Sequence, residues 1–215
     1  MKKLLLTAIV ALGAVGLACA APQTAWSAGV IITADEEVLQ GEIRYNYAHD
    51  IVMYRATTDD NLQTFSTSHL TSFRYYDKKQ ERVRYFRRYT HQESDYITRP
   101  AFFEVVLLGN ISYLRKHNGA AYFDPTDSRR FAVKRSERLS PEVMCYDYYV
   151  QLNGKIIRAR QFKRKVLPWL VNQNIAVKDH MKEHGLRSGY VGDQIRLIRY
   201  ANARLQSRLS AGIKL

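Results

Sequence analysis

Along most of the first two-thirds of the chain, apolar and polar residues alternate in short runs closed by turn-forming residues. The runs are "GVIIT" (29–33), "EVLQGEIRYN" (37–46), "DIVMYR" (50–55), "LQTFS" (62–66), "LTSFRYYD" (70–77), "ERVRYFRRY" (81–89), "AFFEVVLLG" (101–109) and "ISYLRKH" (111–117). Their β-branched and aromatic residues suit a pleated, half-buried surface, and each run is expected to be a strand. Two Asn-Gly pairs, Asn118-Gly119 and Asn153-Gly154, separate strand-like runs. Both central residues of a type I′ turn need positive φ, which Asn and Gly tolerate best, so each pair predicts a hairpin. For the second, a two-residue loop pairs Leu152 with Lys155, Tyr149 with Arg158 and Asp147 with Arg160.

After Gln161 the apolar period lengthens. In "DQIRLIRYANARLQSRL" (193–209), Ile195, Ile198, Leu205 and Leu209 share a face, with Ala201 and Asn202 between. Arg196, Arg199 and Arg208 project elsewhere, and Asp193 is placed to cap the start. "NIAVKDHMKEHG" (174–185) is a second helix, with Val177, His180, Met181 and His184 near one stripe. Gly185 suits the left-handed position that ends a helix, and Leu186 the apolar residue that follows. Pro168 fits the start of a short helix. These elements predict an α+β fold. An antiparallel β-domain of hairpins, sandwich- or barrel-like, covers 21–160, and a helical region over 161–215 packs on it.

Charge sharpens that boundary. Residues 21–150 hold 17 Lys+Arg and 17 Asp+Glu, whereas 151–215 hold 14 against three, a net of +11. The density peaks in "KIIRARQFKRKV" (155–166), where Arg158, Arg160, Lys163, Arg164 and Lys165 are candidate anion-binding residues. Thirteen of the 15 tyrosines fall between 21 and 150. They are expected on a half-buried sheet, ring packed and hydroxyl wet.

The opening "MKKLLLTAIVALGAVGLACAAPQ" has a basic start, an apolar run from Leu4 to Leu17 and small residues up to Ala20. It reads as a secretory leader over 1–20, too short for a membrane span, and predicts a periplasmic or secreted protein. The alternative is lipoprotein anchoring through Cys19, which Gly16 disfavours because a larger aliphatic residue belongs there. Cleavage after Ala20 leaves Cys145 as a single cysteine, expected to be a buried thiol. No later stretch is long and apolar enough to span a membrane. With a leader, the expected partners are not nucleic acid. They are an anionic envelope surface (lipid headgroups, lipopolysaccharide phosphates or acidic polysaccharide) or another envelope protein.

Three segments carry a resemblance: "FFEVVLLGNISYLRKHNGAAYFDPTDS" (102–128), "YDYYVQLNGKIIRARQFKRKVLPWL" (146–170) and "VKDHMKEHGLRSGYVGDQIRLIRYANARL" (177–205). With Gly41-Glu42-Ile43-Arg44-Tyr45 ahead of them and Tyr200-Ala201-Asn202 at the end, the chain resembles a group of small secreted or periplasmic proteins of Bacteroidota-type bacteria. The resemblance covers most of the chain beyond the leader. It implies a compartment and an architecture, a Tyr-rich β-domain with a C-terminal helical pair, and no reaction.

Candidate chemistry is sparse. His180, Glu183 and His184 spell H-x-x-E-H, the arrangement of inverted zinc peptidases. A catalytic zinc needs a third protein ligand, and Asp193 is the only acid after Glu183. The other histidines, His49, His69, His91 and His117, are scattered, and the surrounding positive charge disfavours a dication. A zinc-dependent envelope hydrolase is therefore the minor reading, and no metal or cofactor is expected. No G-x-S-x-G elbow, Walker loop or dinucleotide fingerprint is present. The leading expectation is a non-catalytic extracytoplasmic protein, binding or structural. The alternative is an anionic-surface binding module working through the basic last third.

Overall fold

A computed structural model describes residues 25–92, 96–117 and 145–212. The leader, Cys19 and the Asn118-Gly119 pair lie outside them. All eight expected strands form: β1 (Ser27–Thr33), β2 (Val38–Asn46), β3 (Ile51–Arg55), β4 (Gln63–Phe65), β5 (Leu70–Asp77), β6 (Arg82–Gln92), β7 (Thr98–Leu107) and β8 (Ser112–His117). The second hairpin adds β9 (Tyr146–Leu152) and β10 (Lys155–Arg158). Asn153 and Gly154 take φ of 50° and 75°, and Leu152–Lys155 and Tyr149–Arg158 pair as expected. Asp147 does not pair with Arg160. The strand ends at Arg158 and the chain winds into a helix, so Asp147 lies opposite Lys116 instead.

The strands make one ten-stranded antiparallel sheet in the order β10-β9-β8-β7-β6-β5-β1-β2-β3-β4. It is open, with β4 and β10 as edges, and it curls like part of a barrel rather than stacking as a sandwich. Tyr45 on β2 packs edge-on against Phe73, Phe86 and Phe102, with ring centroids 4.9, 5.1 and 6.1 Å apart. Three strands separate β2 from β7, so only a strongly coiled sheet brings those rings together. Lys116 Nζ ties β8 to the β2–β3 turn through Asp50 Oδ2 at 2.5 Å. Gly29 and Gly41 face each other across β1 and β2, and a Cβ at Gly41 would strike the Arg55 carbonyl and the Tyr54 ring. The tyrosines depart from expectation. Tyr45, Tyr47, Tyr75, Tyr113, Tyr146 and Tyr148 are buried. Hydroxyls find protein partners: Tyr45 donates to Asp50, and the Tyr47 and Tyr75 hydroxyls hydrogen-bond to each other at 2.5 Å.

Beyond β10 a 3-10 turn (Ala159–Gln161) and a π-helical turn (Phe162–Val166) run into α1 (Leu167–Asn172), whose first turn holds Pro168. Next come α2 (Val177–Glu183) and α3 (Val191–Gly212). They pack on β8 and β9, where Phe162, Val166, Leu170, Leu197 and Ile198 share a core with Tyr113 and Val150. The inward stripe of α3 is turned from the expected one. Leu197, Ile198 and Ala201 are fully buried, whereas Ile195 is half-buried. The buried Tyr113 hydroxyl donates to Gln194 Oε1 at 2.7 Å, which draws that side of the helix inward. Asp193 does not cap α3, which starts two residues earlier. Its Oδ2 accepts the Arg187 N–H at 3.0 Å and so orders the preceding loop. Cys145 is buried.

The end of α2 matches its expectation closely. Gly185 has φ of 60°, its N–H donates to Lys182 at 3.4 Å, and Leu186 N–H donates to Met181 at 2.9 Å. These are the two bonds of a Schellman motif, with Leu186 buried. Gly185→Ala puts a Cβ in a left-handed conformation and should cost about 1 kcal/mol. Chemical denaturation measures this, and an unchanged midpoint would contradict it.

Candidate functional site: a basic face on the helical connector

The apolar anchors of the connector are Phe162, Val166 and Leu170, all fully buried and spaced by four. An α-helix would drift away from that spacing. The π turn absorbs the difference, and Leu167 N–H donates to the Phe162 carbonyl five residues back. The consequence is local and chemical. Lys163, Arg164 and Lys165 all lie between two anchors, and all three are exposed. Arg160, in the preceding 3-10 turn, is exposed as well. From residue 148 to residue 178 the chain has no Asp or Glu. Arg160, Lys163, Arg164 and Lys165 form no ion pair among the described residues.

Arg160, Gln161, Lys163 and Arg164 line an open depression of about 570 Å³. The structure therefore brings three of the five expected anion-binding residues to one concavity. Arg158, at the end of β10, and Lys165 are exposed but do not line it. Such a surface can hold an anion by charge and by the planar guanidinium fork. Its breadth suits a surface or a polyanion better than one enclosed small molecule.

The histidines of the H-x-x-E-H stretch also come together. His180, Glu183 and His184 can each offer a ligand atom, and these atoms lie within 4.8 Å of one another. The His180 ring stacks on Tyr200, with centroids 3.9 Å apart and planes 4° from parallel. Burial there, and the neighbouring His184, hold the His180 imidazole below the usual histidine value.

A third cluster is buried inside the curl. Glu104 accepts from Arg115 Nε and Nη2 at 2.8 and 3.0 Å and from Arg84 Nη2 at 2.5 Å. Arg84 also donates to the Tyr146 hydroxyl at 3.0 Å, and its Nη1 lies 3.4 Å from Asp77. Burial pushes the Glu104 carboxyl up, but Arg115 and Arg84 outweigh it and leave it below the ordinary range. Burial raises the Tyr75 phenol to about 12, against the opposing pull of Arg84, so the hydroxyl stays protonated. The charged groups pair with one another, although Arg84 Nε has no partner among the described residues, and the cluster joins β6, β7 and β8. Sequence reading missed it, although one signal existed. Glu104 has the parity of Phe102 on its strand, and Arg84 that of Phe86, so each charge sits on the face of a buried ring.

The chain matches no protein-family profile, no curated protein and no solved structure, so the reading of this site rests on its own residues.

Proposed function

We propose that this chain is a non-catalytic extracytoplasmic protein that attaches to anionic surfaces of the cell envelope through Arg160, Lys163 and Arg164, with Arg158 and Lys165 at the margin. The observation that carries the reading is a cluster of exposed cations, free of acidic neighbours in sequence, held on a turn pinned by buried Phe162 and Val166. Surface lysines and arginines are common, but most stand among acids. The N-terminal leader pattern supports an envelope location, which makes lipid headgroups and lipopolysaccharide phosphates the relevant anions. Each Lys or Arg near an anionic membrane contributes about 1 kcal/mol.

The test is flotation of the purified protein with phosphatidylglycerol vesicles across a salt titration. Binding is expected at low ionic strength and should fall steeply towards physiological salt, where the screening length is about 8 Å. Neutral phosphatidylcholine vesicles should not bind. A protein that ignores anionic vesicles even at low salt overturns the proposal.

A further inference from the structure

The last turn of α2 carries three groups that the anion face does not use. Two histidines one helical turn apart present their rings side by side, with centroids 4.1 Å apart. Glu183 lies between them in sequence. One ligand atom from each of the three falls within 4.8 Å of the others. A tetrahedral ion with bonds of about 2.1 Å needs its ligand atoms roughly 3.4 Å apart. Small rotations of two exposed side chains, Glu183 and His184, close that difference.

Two further observations point to a ligand site rather than a chance grouping. First, His184 Nδ1 lies 3.1 Å from the His180 carbonyl oxygen. A carbonyl only accepts, so in this bond Nδ1 carries the proton and Nε2 keeps the lone pair. That is how backbone partners set the tautomer of metal-ligating histidines. Second, the His180 ring is held against Tyr200 on α3 by a nearly parallel stack. The His180 ring therefore does not have to be ordered from free solvent motion when an ion arrives.

We infer that His180, Glu183 and His184 form a surface site for a divalent transition-metal ion of the copper–zinc class. Two imidazoles and one carboxylate suit such ions, whereas calcium and magnesium require oxygen ligands. Lys182 and Arg204 stand nearby, so simple attraction of a dication does not drive the site, and imidazole coordination must. Three protein ligands leave at least one coordination position open to water or to a ligand from another molecule. The site lies on an exposed helix end, and the inference is of binding.

The experiment is a titration of the purified protein, carrying no polyhistidine tag, with Cu²⁺ and separately with Zn²⁺, followed by calorimetry and, for Cu²⁺, by electron paramagnetic resonance. One saturable site per chain is expected, tighter for copper than for zinc. H184A should weaken it at least about tenfold, and H180A/H184A should abolish it, with helicity unchanged. H49A, at a distant exposed histidine, should leave it intact. Absent stoichiometric binding, binding that survives H180A/H184A, or equal loss in H49A overturns the site. An unchanged affinity in E183Q overturns its third ligand.

Discussion

Glu104→Ala is expected to lower the unfolding free energy by about 3–5 kcal/mol, the usual cost of removing one partner from a buried ionic cluster. Glu104 is 4% exposed and Arg84 is 3% exposed. Without the carboxylate, two guanidinium groups face each other in an apolar curl, and Arg84 Nε already lacks a partner among the described residues. The loss should exceed that for removing an exposed charge such as Lys78. Acid tests the same group. A carboxyl whose folded pKa lies below its unfolded value stabilises the fold above the unfolded value, near pH 4.3. That contribution disappears as pH falls through the folded value. Wild-type stability should therefore drop on acidification below about pH 4, and Glu104→Gln should lack that part of the drop. A Glu104→Ala protein within about 0.5 kcal/mol of wild type would contradict the role assigned here.

Asn202→Ala should release the helical region from the sheet. Asn202 Oδ1 accepts the Ile111 N–H at 2.9 Å, and its Nδ2 donates to the Ile111 carbonyl at 2.8 Å. One side chain thus satisfies both backbone groups of a fully buried residue, much as a neighbouring strand would. Removing it leaves two backbone groups unpaired, at a cost of about 2–4 kcal/mol. Asn202→Asp keeps the acceptor for the N–H but sets a carboxylate oxygen against the carbonyl, so it should not rescue. Gly109→Ala attacks the same contact from the other side, because a Cβ there would strike the Asn202 amide. Hydrogen exchange should show α3 losing protection before β1 and β2. Uniform loss across the sheet, or none, would contradict this account.

These two predictions bear on what the sequence could tell. Strands were legible because alternation and turn chemistry are local, and "LTSFRYYD" is β5 residue for residue. The Asn153-Gly154 register followed from turn geometry alone. The long-range pairings were not legible. Glu104, Arg84 and Arg115 look like solvent-facing charges until the register of β6, β7 and β8 places them on one buried face. The π turn was also missed, because a spacing of four, as in Phe162, Val166 and Leu170, belongs to ordinary α-helical faces as well. The stripe of α3 was misjudged because Gln194 counted as polar, and Tyr113 buries it. The stretches behind the resemblance turn out to hold structural positions: Gly41 against the Arg55 carbonyl, Glu104 in the ion cluster, and Gly109 against Asn202.

The basic face was legible as charge density but not as a concavity, since only the folded connector sets Arg160 beside Lys163 and Arg164. The most direct test compares two variants that remove the same net charge. One is Arg160→Ala/Lys163→Ala/Arg164→Ala. The other is Arg74→Ala/Lys78→Ala/Lys79→Ala, three exposed cations on and beside β5. Both are measured against phosphatidylglycerol vesicles at low salt. The first should lose on the order of a hundredfold in affinity, from three contributions of about 1 kcal/mol each, and the second only a few-fold. Equal losses would mean that net charge alone binds, and an unaffected first variant would remove the connector as the binding face.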